Sequence, residues 1–132
     1  MLGDQIGEET GKVIVIRVLD SAALKAEVSI QTKGKLLGHD YQGRATYTSA
    51  MQAGGFLYGE GHGVYITTGA DMATWIGQGT GKLKPDGGAS YRGALHFRNA
   101  TGKLAKLAGT VAVFEYETDA NDNTSAKSWE WK

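Results

Sequence analysis

Two stretches, Gly59-Glu-Gly61-His-Gly63 and Gly77-Gln-Gly79-Thr-Gly81, decide how this chain is read. Successive side chains on a strand point to opposite faces, so each run lines one face with glycines and leaves ordinary side chains on the other. Glycine weakens an ordinary strand, because it has nothing to pack and loses more entropy on folding. Repeated in register, it predicts strands that bend hard or that let something approach their backbone, as a small, strongly coiled barrel requires. Which face the glycines take stays open at this level. Inward glycines would leave room in the interior; outward glycines, with aromatic side chains packed inside, would not.

Outward from these runs, the chain reads as strands separated by turn chemistry. Lys12–Leu19 is β-branched on both faces, which predicts cover on both sides. Leu24–Lys33 alternates Ala26, Val28 and Ile30 with charged and polar residues, the pattern of a sheet with one buried face. A loop containing Gly34, Gly38 and Gly43 is predicted next, then strands over Arg44–Met51, Phe56–Thr67, Met72–Leu83, Ala89–Arg98, Thr110–Thr118 and Thr124–Lys132. Pro85-Asp-Gly-Gly88 is the strongest turn signal. Within Thr101–Ala108, Leu104 and Leu107 lie three apart, which predicts a short helical segment plugging one barrel end. Residues 1–11, with three glycines and three acids, are expected to form a flexible arm, leaving 12–132 as a single domain. Eight strands with mostly short turns predict an all-β fold, a closed antiparallel up-and-down meander barrel. Closure removes exposed sheet edges, and an eight-stranded interior is either just filled by side chains or holds one small ligand.

Composition narrows the function classes. At 132 residues the chain fits one domain able to bury a full core. It has no cysteine, hence no disulfide, thiolate metal site or cysteine nucleophile. Fourteen basic and fourteen acidic side chains cancel, so no global charge draws it to nucleic acid or an anionic membrane. No apolar run is long enough for a membrane helix. The first ten residues lack a basic region followed by an apolar run, so the expected compartment is the cytoplasm.

Gly55–Tyr65, Ala73–Gly81, Tyr91-Arg-Gly-Ala94 and Val113-Phe-Glu-Tyr-Glu117 together resemble a family of uncharacterised bacterial proteins whose closed eight-stranded barrel is similar to that of plant allene oxide cyclase, a calycin-like barrel. The resemblance runs from about Lys12 to Lys132. It implies a fold and no assigned reaction. Allene oxide cyclase cyclises an unsaturated fatty-acid epoxide in an apolar barrel cavity, but its catalytic residues map onto no positions here.

Several side chains are candidates for chemistry. Glu60 and His62 share a strand face about 7 Å apart, and a carboxylate beside an imidazole can act as general acid and base. If the glycines face inward, both lie in solvent. Glu115 lies in an otherwise apolar strand, where a carboxylate is costly unless paired, and Arg17 is a possible partner. Arg92, His96 and Arg98 form a stripe opposite Tyr91, Leu95 and Phe97 that could grip an anion or a neighbouring subunit, or simply be solvated. Tyr58, Tyr65 and Trp75, on the glycine strands, are candidates with Arg92 for lining a ligand cavity. His39, His62 and His96 lie on separate segments without metal-ligand spacing, so no metal and no cofactor is expected. The glycine runs open no helix, which excludes a phosphate loop. Trp129 and Trp131 share a face of the last strand and suggest a subunit contact.

These readings leave three functions open: a barrel binding a small apolar ligand without turnover, a cofactor-free isomerase or cyclase using Glu60, His62 or Glu115, and a structural barrel with a filled interior. A homo-oligomer is expected with each, with neither nucleic acid nor membrane as partner.

Overall fold

Alternation becomes eight strands in the computed structural model, which describes every residue from Met1 to Lys132. They are β1 (Leu2–Asp20), β2 (Lys25–Leu36), β3 (His39–Met51), β4 (Leu57–Thr67), β5 (Met72–Leu83), β6 (Ala89–Ala100), β7 (Val111–Thr118) and β8 (Asn123–Trp131). Each pairs antiparallel with the next, and β8 returns to β1, closing an up-and-down barrel. Of 102 backbone–backbone hydrogen bonds, 82 lie within these elements, so the ladder satisfies most main-chain groups without help from side chains. No helix is long and apolar enough to cross a membrane.

The glycine rows face the interior. Gly59 is buried alongside Leu57 and Thr67 on one face of β4, while Glu60, His62 and Ile66 are exposed on the other. Gly59 lies opposite Gly79, Gly61 opposite Gly77, and Gly79 opposite Gly93 on β6. A band of small residues therefore crosses three strands, and there the backbones crowd. A Cβ on Gly61 would run into the Thr46 carbonyl oxygen, and one on Gly93 into that of Gln78. The band is also where aromatic rings are seated. Phe114 reaches over Gly79 and Gly93, Trp75 over Gly63, and Tyr91 over Gly81. Rings laid over strand glycines restore the packing that glycine cannot supply.

Residues 1–11 are a correction. Rather than a flexible arm, Leu2–Gly11 is the first half of β1, with Gly7–Gly11 paired on one side to β2 and on the other to β8. The predicted loop between the second and third strands is likewise a tight hairpin. Leu37 and Gly38 both adopt positive φ, 52° and 80°, and Leu36 pairs with His39. Two positive-φ residues twist a two-residue turn to match its strands. Leucine is an unusual occupant of the first position, which hid the turn.

The helical segment is a 3₁₀ helix, Gly102–Leu107. Leu104 and Leu107 are buried from it into a core cluster with Ile6, Leu36, Tyr41, Leu95 and Phe97. A second cluster contains Val28, Ile30, Leu57, Tyr91 and Tyr116. One region departs from closure. Pairing of β1 with β8 ends at Lys12–Asn123, yet β1 continues along β2 to Asp20. Val13–Asp20 thus has a strand on one side only. The double cover expected there is absent, and Ile14, Val15, Ile16 and Val18 are 50, 56, 56 and 67% exposed.

Candidate functional site

Within the barrel lies a cavity of about 100 Å³. Its walls include Tyr41, Ala45 and Tyr47 from β3, Tyr65 from β4, Trp75 from β5, Tyr91 from β6, Phe114 and Tyr116 from β7, and Gly59, Gly61, Gly77 and Gly79. Two aromatic groups border it. In the first, the Tyr41 and Tyr65 ring centres are 4.6 Å apart, with Trp75 and Phe97 6.4 and 6.3 Å from Tyr65. In the second, Tyr47, Tyr91 and Tyr116 are mutually 5.7–6.1 Å apart. Their hydroxyls are paired, Tyr47 with Tyr116 at 3.1 Å and Tyr91 with Ser49 at 2.6 Å.

One carboxylate enters this aromatic interior. Glu9, on the first half of β1, accepts a 2.6 Å hydrogen bond from the Tyr41 hydroxyl and lines the cavity. Burial raises its pKa above the ordinary 4.5, against the opposing pull of hydrogen bonds from Tyr41 and Thr32. Burial is also the main cause of the raised pKa values of Tyr41, Tyr65 and Tyr116, with the Glu9 charge adding to all three. These phenols stay protonated as hydrogen-bond donors. The Trp75 indole nitrogen is buried and has no hydrogen-bond partner. An acceptor-rich carboxylate, phenol donors and a free indole N–H thus lie in an otherwise apolar space. Such a set can bind a polar group or exchange a proton with it.

A half-buried carboxylate should also leave a mark on stability. The folded chain holds the Glu9 proton at pH values where the unfolded chain has released it. Stability is therefore lost as pH rises from about 4.5 through the raised folded pKa. Glu9→Gln keeps an acceptor for Tyr41 and removes the charge. It is expected to raise the melting temperature near pH 7 by a few degrees. The gain should vanish near pH 3, where both states carry a protonated Glu9. Calorimetry of the two proteins at both pH values checks this; an equal gain at both would show that ionisation is not its cause.

Of the candidates named from sequence, Tyr65 and Trp75 line the cavity. Tyr58 instead lies on the outer face, donating to Glu60 at 3.1 Å and Gln78 at 2.8 Å. Glu60 and His62 are exposed, as inward glycines require. Glu115 is not held in an apolar setting: its side chain is 50% exposed and 3.7 Å from Arg92. Arg17, its suggested partner, pairs with Glu27 at 3.4 Å. Arg92 is outside, bridging Glu115 and Glu117. The three histidines join no group of three metal-capable side chains.

An outer depression also crosses the glycine band, bordered by Glu27, Glu60, His62, His96 and Arg98. It is broad, bordered mainly by polar residues and open to solvent.

Glu9, Tyr41, Tyr47, Tyr91 and Tyr116 were missed as site residues. A usable signal existed for Glu9. Stepping back in twos from Val13 passes through Gly11, Glu9 and Gly7, one strand face with two more glycines. No family model matches the chain, nor does any curated protein or solved structure.

Proposed function

We propose that this barrel binds a small, mostly apolar ligand in its interior. The cavity carries the reading: an aromatic-lined space with a few convergent polar groups has the composition of a ligand site. Its size sets the ligand scale. An apolar cavity of about 150 Å³ can hold a benzene ring, so about 100 Å³ fits a single small ring or a short branched chain with slight side-chain movement. The closed meander of eight strands also supports, as a proposal, placing the fold with allene oxide cyclase-like barrels.

A cofactor-free isomerase or cyclase is the second reading. The partly buried Glu9–Tyr41 pair favours it, since a carboxylate of raised pKa beside a phenol can take and return a proton inside an apolar space. In this reading Glu9 replaces Glu60, His62 and Glu115 as the acid–base group.

Toluene titrated into the protein and followed by nuclear magnetic resonance tests the cavity. Saturable binding at one site per chain is expected, with shifts at Tyr47, Tyr65 and Tyr91. Ala45→Leu, which extends a cavity-lining side chain into that space, is expected to weaken binding at least tenfold while the protein stays folded. Failure of the parent protein to bind toluene up to its solubility limit would sink the reading and leave a structural barrel.

A further inference from the structure

We propose that the interior site selects a small organic cation, an amine-bearing single ring or a compact alkylammonium, over a neutral molecule of the same shape. This rests on the interior being a ligand site and specifies its chemistry. Glu9 is a carboxylate on the cavity wall whose protein partner, Tyr41, is a neutral phenol. None of the ion pairs in the protein involves Glu9, and the nearby phenols cannot neutralise it. A half-buried charge without a counter-charge is unfavourable, and a cationic ligand supplies the counter-charge. The rings add to this. Tyr41, Tyr65 and Trp75 on one side, and Tyr47, Tyr91 and Tyr116 on the other, present aromatic rings around the same space. Aromatic faces attract cations, most strongly where water is excluded. An anionic ligand would meet Glu9 and the ring faces, both unfavourable to it.

Benzylamine, which is toluene carrying an ammonium group at neutral pH, tests the charge preference against toluene. The parent protein is expected to bind benzylamine about tenfold or more tightly than toluene near pH 7. Glu9→Gln is expected to abolish that preference while toluene binding persists. Equal binding of the two by the parent, or an unchanged preference in Glu9→Gln, overturns the cation inference and leaves the cavity reading standing. Binding of neither overturns both.

Discussion

Replacing Leu104 with alanine is expected to destabilise the protein by about 2–5 kcal/mol, the cost of truncating a leucine in a packed core. Leu104 is fully covered, and Leu107 beside it is 1% exposed. Both come from the only element that is not a strand, and they pack against Leu95 and Phe97 inside the barrel. Six residues of 3₁₀ helix cannot hold a shape alone, because such a short helix has too few hydrogen bonds to offset its ordering entropy. Its position comes from these two leucines and from Asp71, whose carboxylate accepts the Lys103 backbone N–H at 3.1 Å. Lys103→Ala, on the exposed side of the same element, should change stability by less than about 0.5 kcal/mol. Urea denaturation of both variants checks the contrast. A Leu104→Ala cost below about 1 kcal/mol would mean that the segment is a loose flap and not a plug.

Gly61→Ala and Gly59→Ala should differ strongly although they are two residues apart on one strand. At Gly61 the new methyl would run into the Thr46 carbonyl oxygen and lie 2.6 Å from the Tyr47 Cβ. Backbone must move to admit it, and overpacking of this kind costs about 1–3 kcal/mol. At Gly59 the nearest atoms, the Thr48 carbonyl oxygen and a Tyr91 ring carbon, are both 3.5 Å away, an ordinary contact. There alanine removes unfolded-state freedom without a clash, so stability should hold or rise by up to about 1 kcal/mol. Chemical denaturation of the two variants in parallel reads the difference. Similar costs at both positions would mean that glycine is needed along the whole row for its backbone freedom and not, at Gly61, for close approach.

The inward direction of the glycines connects these packing arguments to function. A barrel of eight strands carrying ordinary inward side chains would be close to full. Here the band from Gly59 through Gly79 to Gly93 lets large rings turn across it, and the space between the two aromatic groups stays open. Exposed polar residues on the outer face of the same strands, Glu60, His62 and Gln78, keep that face wet and leave the interior as the apolar side.

Much of the fold was legible because it depends on local periodicity. Alternation in Leu24–Lys33 and Ala89–Arg98, the turn at Pro85–Gly88 and the leucine spacing at Leu104 and Leu107 are properties of neighbouring residues, and they determined an all-β meander with one short helical plug. The site was less legible. A period of two defines two faces without saying which one is inside, and rows of glycine remove the apolar–polar contrast that would have decided it. Alternation sets Tyr65 and Trp75 on the glycine face and Tyr58 on the opposite one; all three stood as candidates only because the inward face was not decided. The place of Glu9 depended on closure. Residues 2–11 look too polar and glycine-rich for a strand, and they are held in one because β8 and β2 offer backbone partners on both sides. Only the closed barrel brings Glu9 to Tyr41, thirty-two positions away, and only the end of β8 pairing leaves Val13–Asp20 with a bare edge. Sequence determined which residues alternate. Tertiary pairing decided which face is inside, because burial is settled by contacts between residues far apart in the chain.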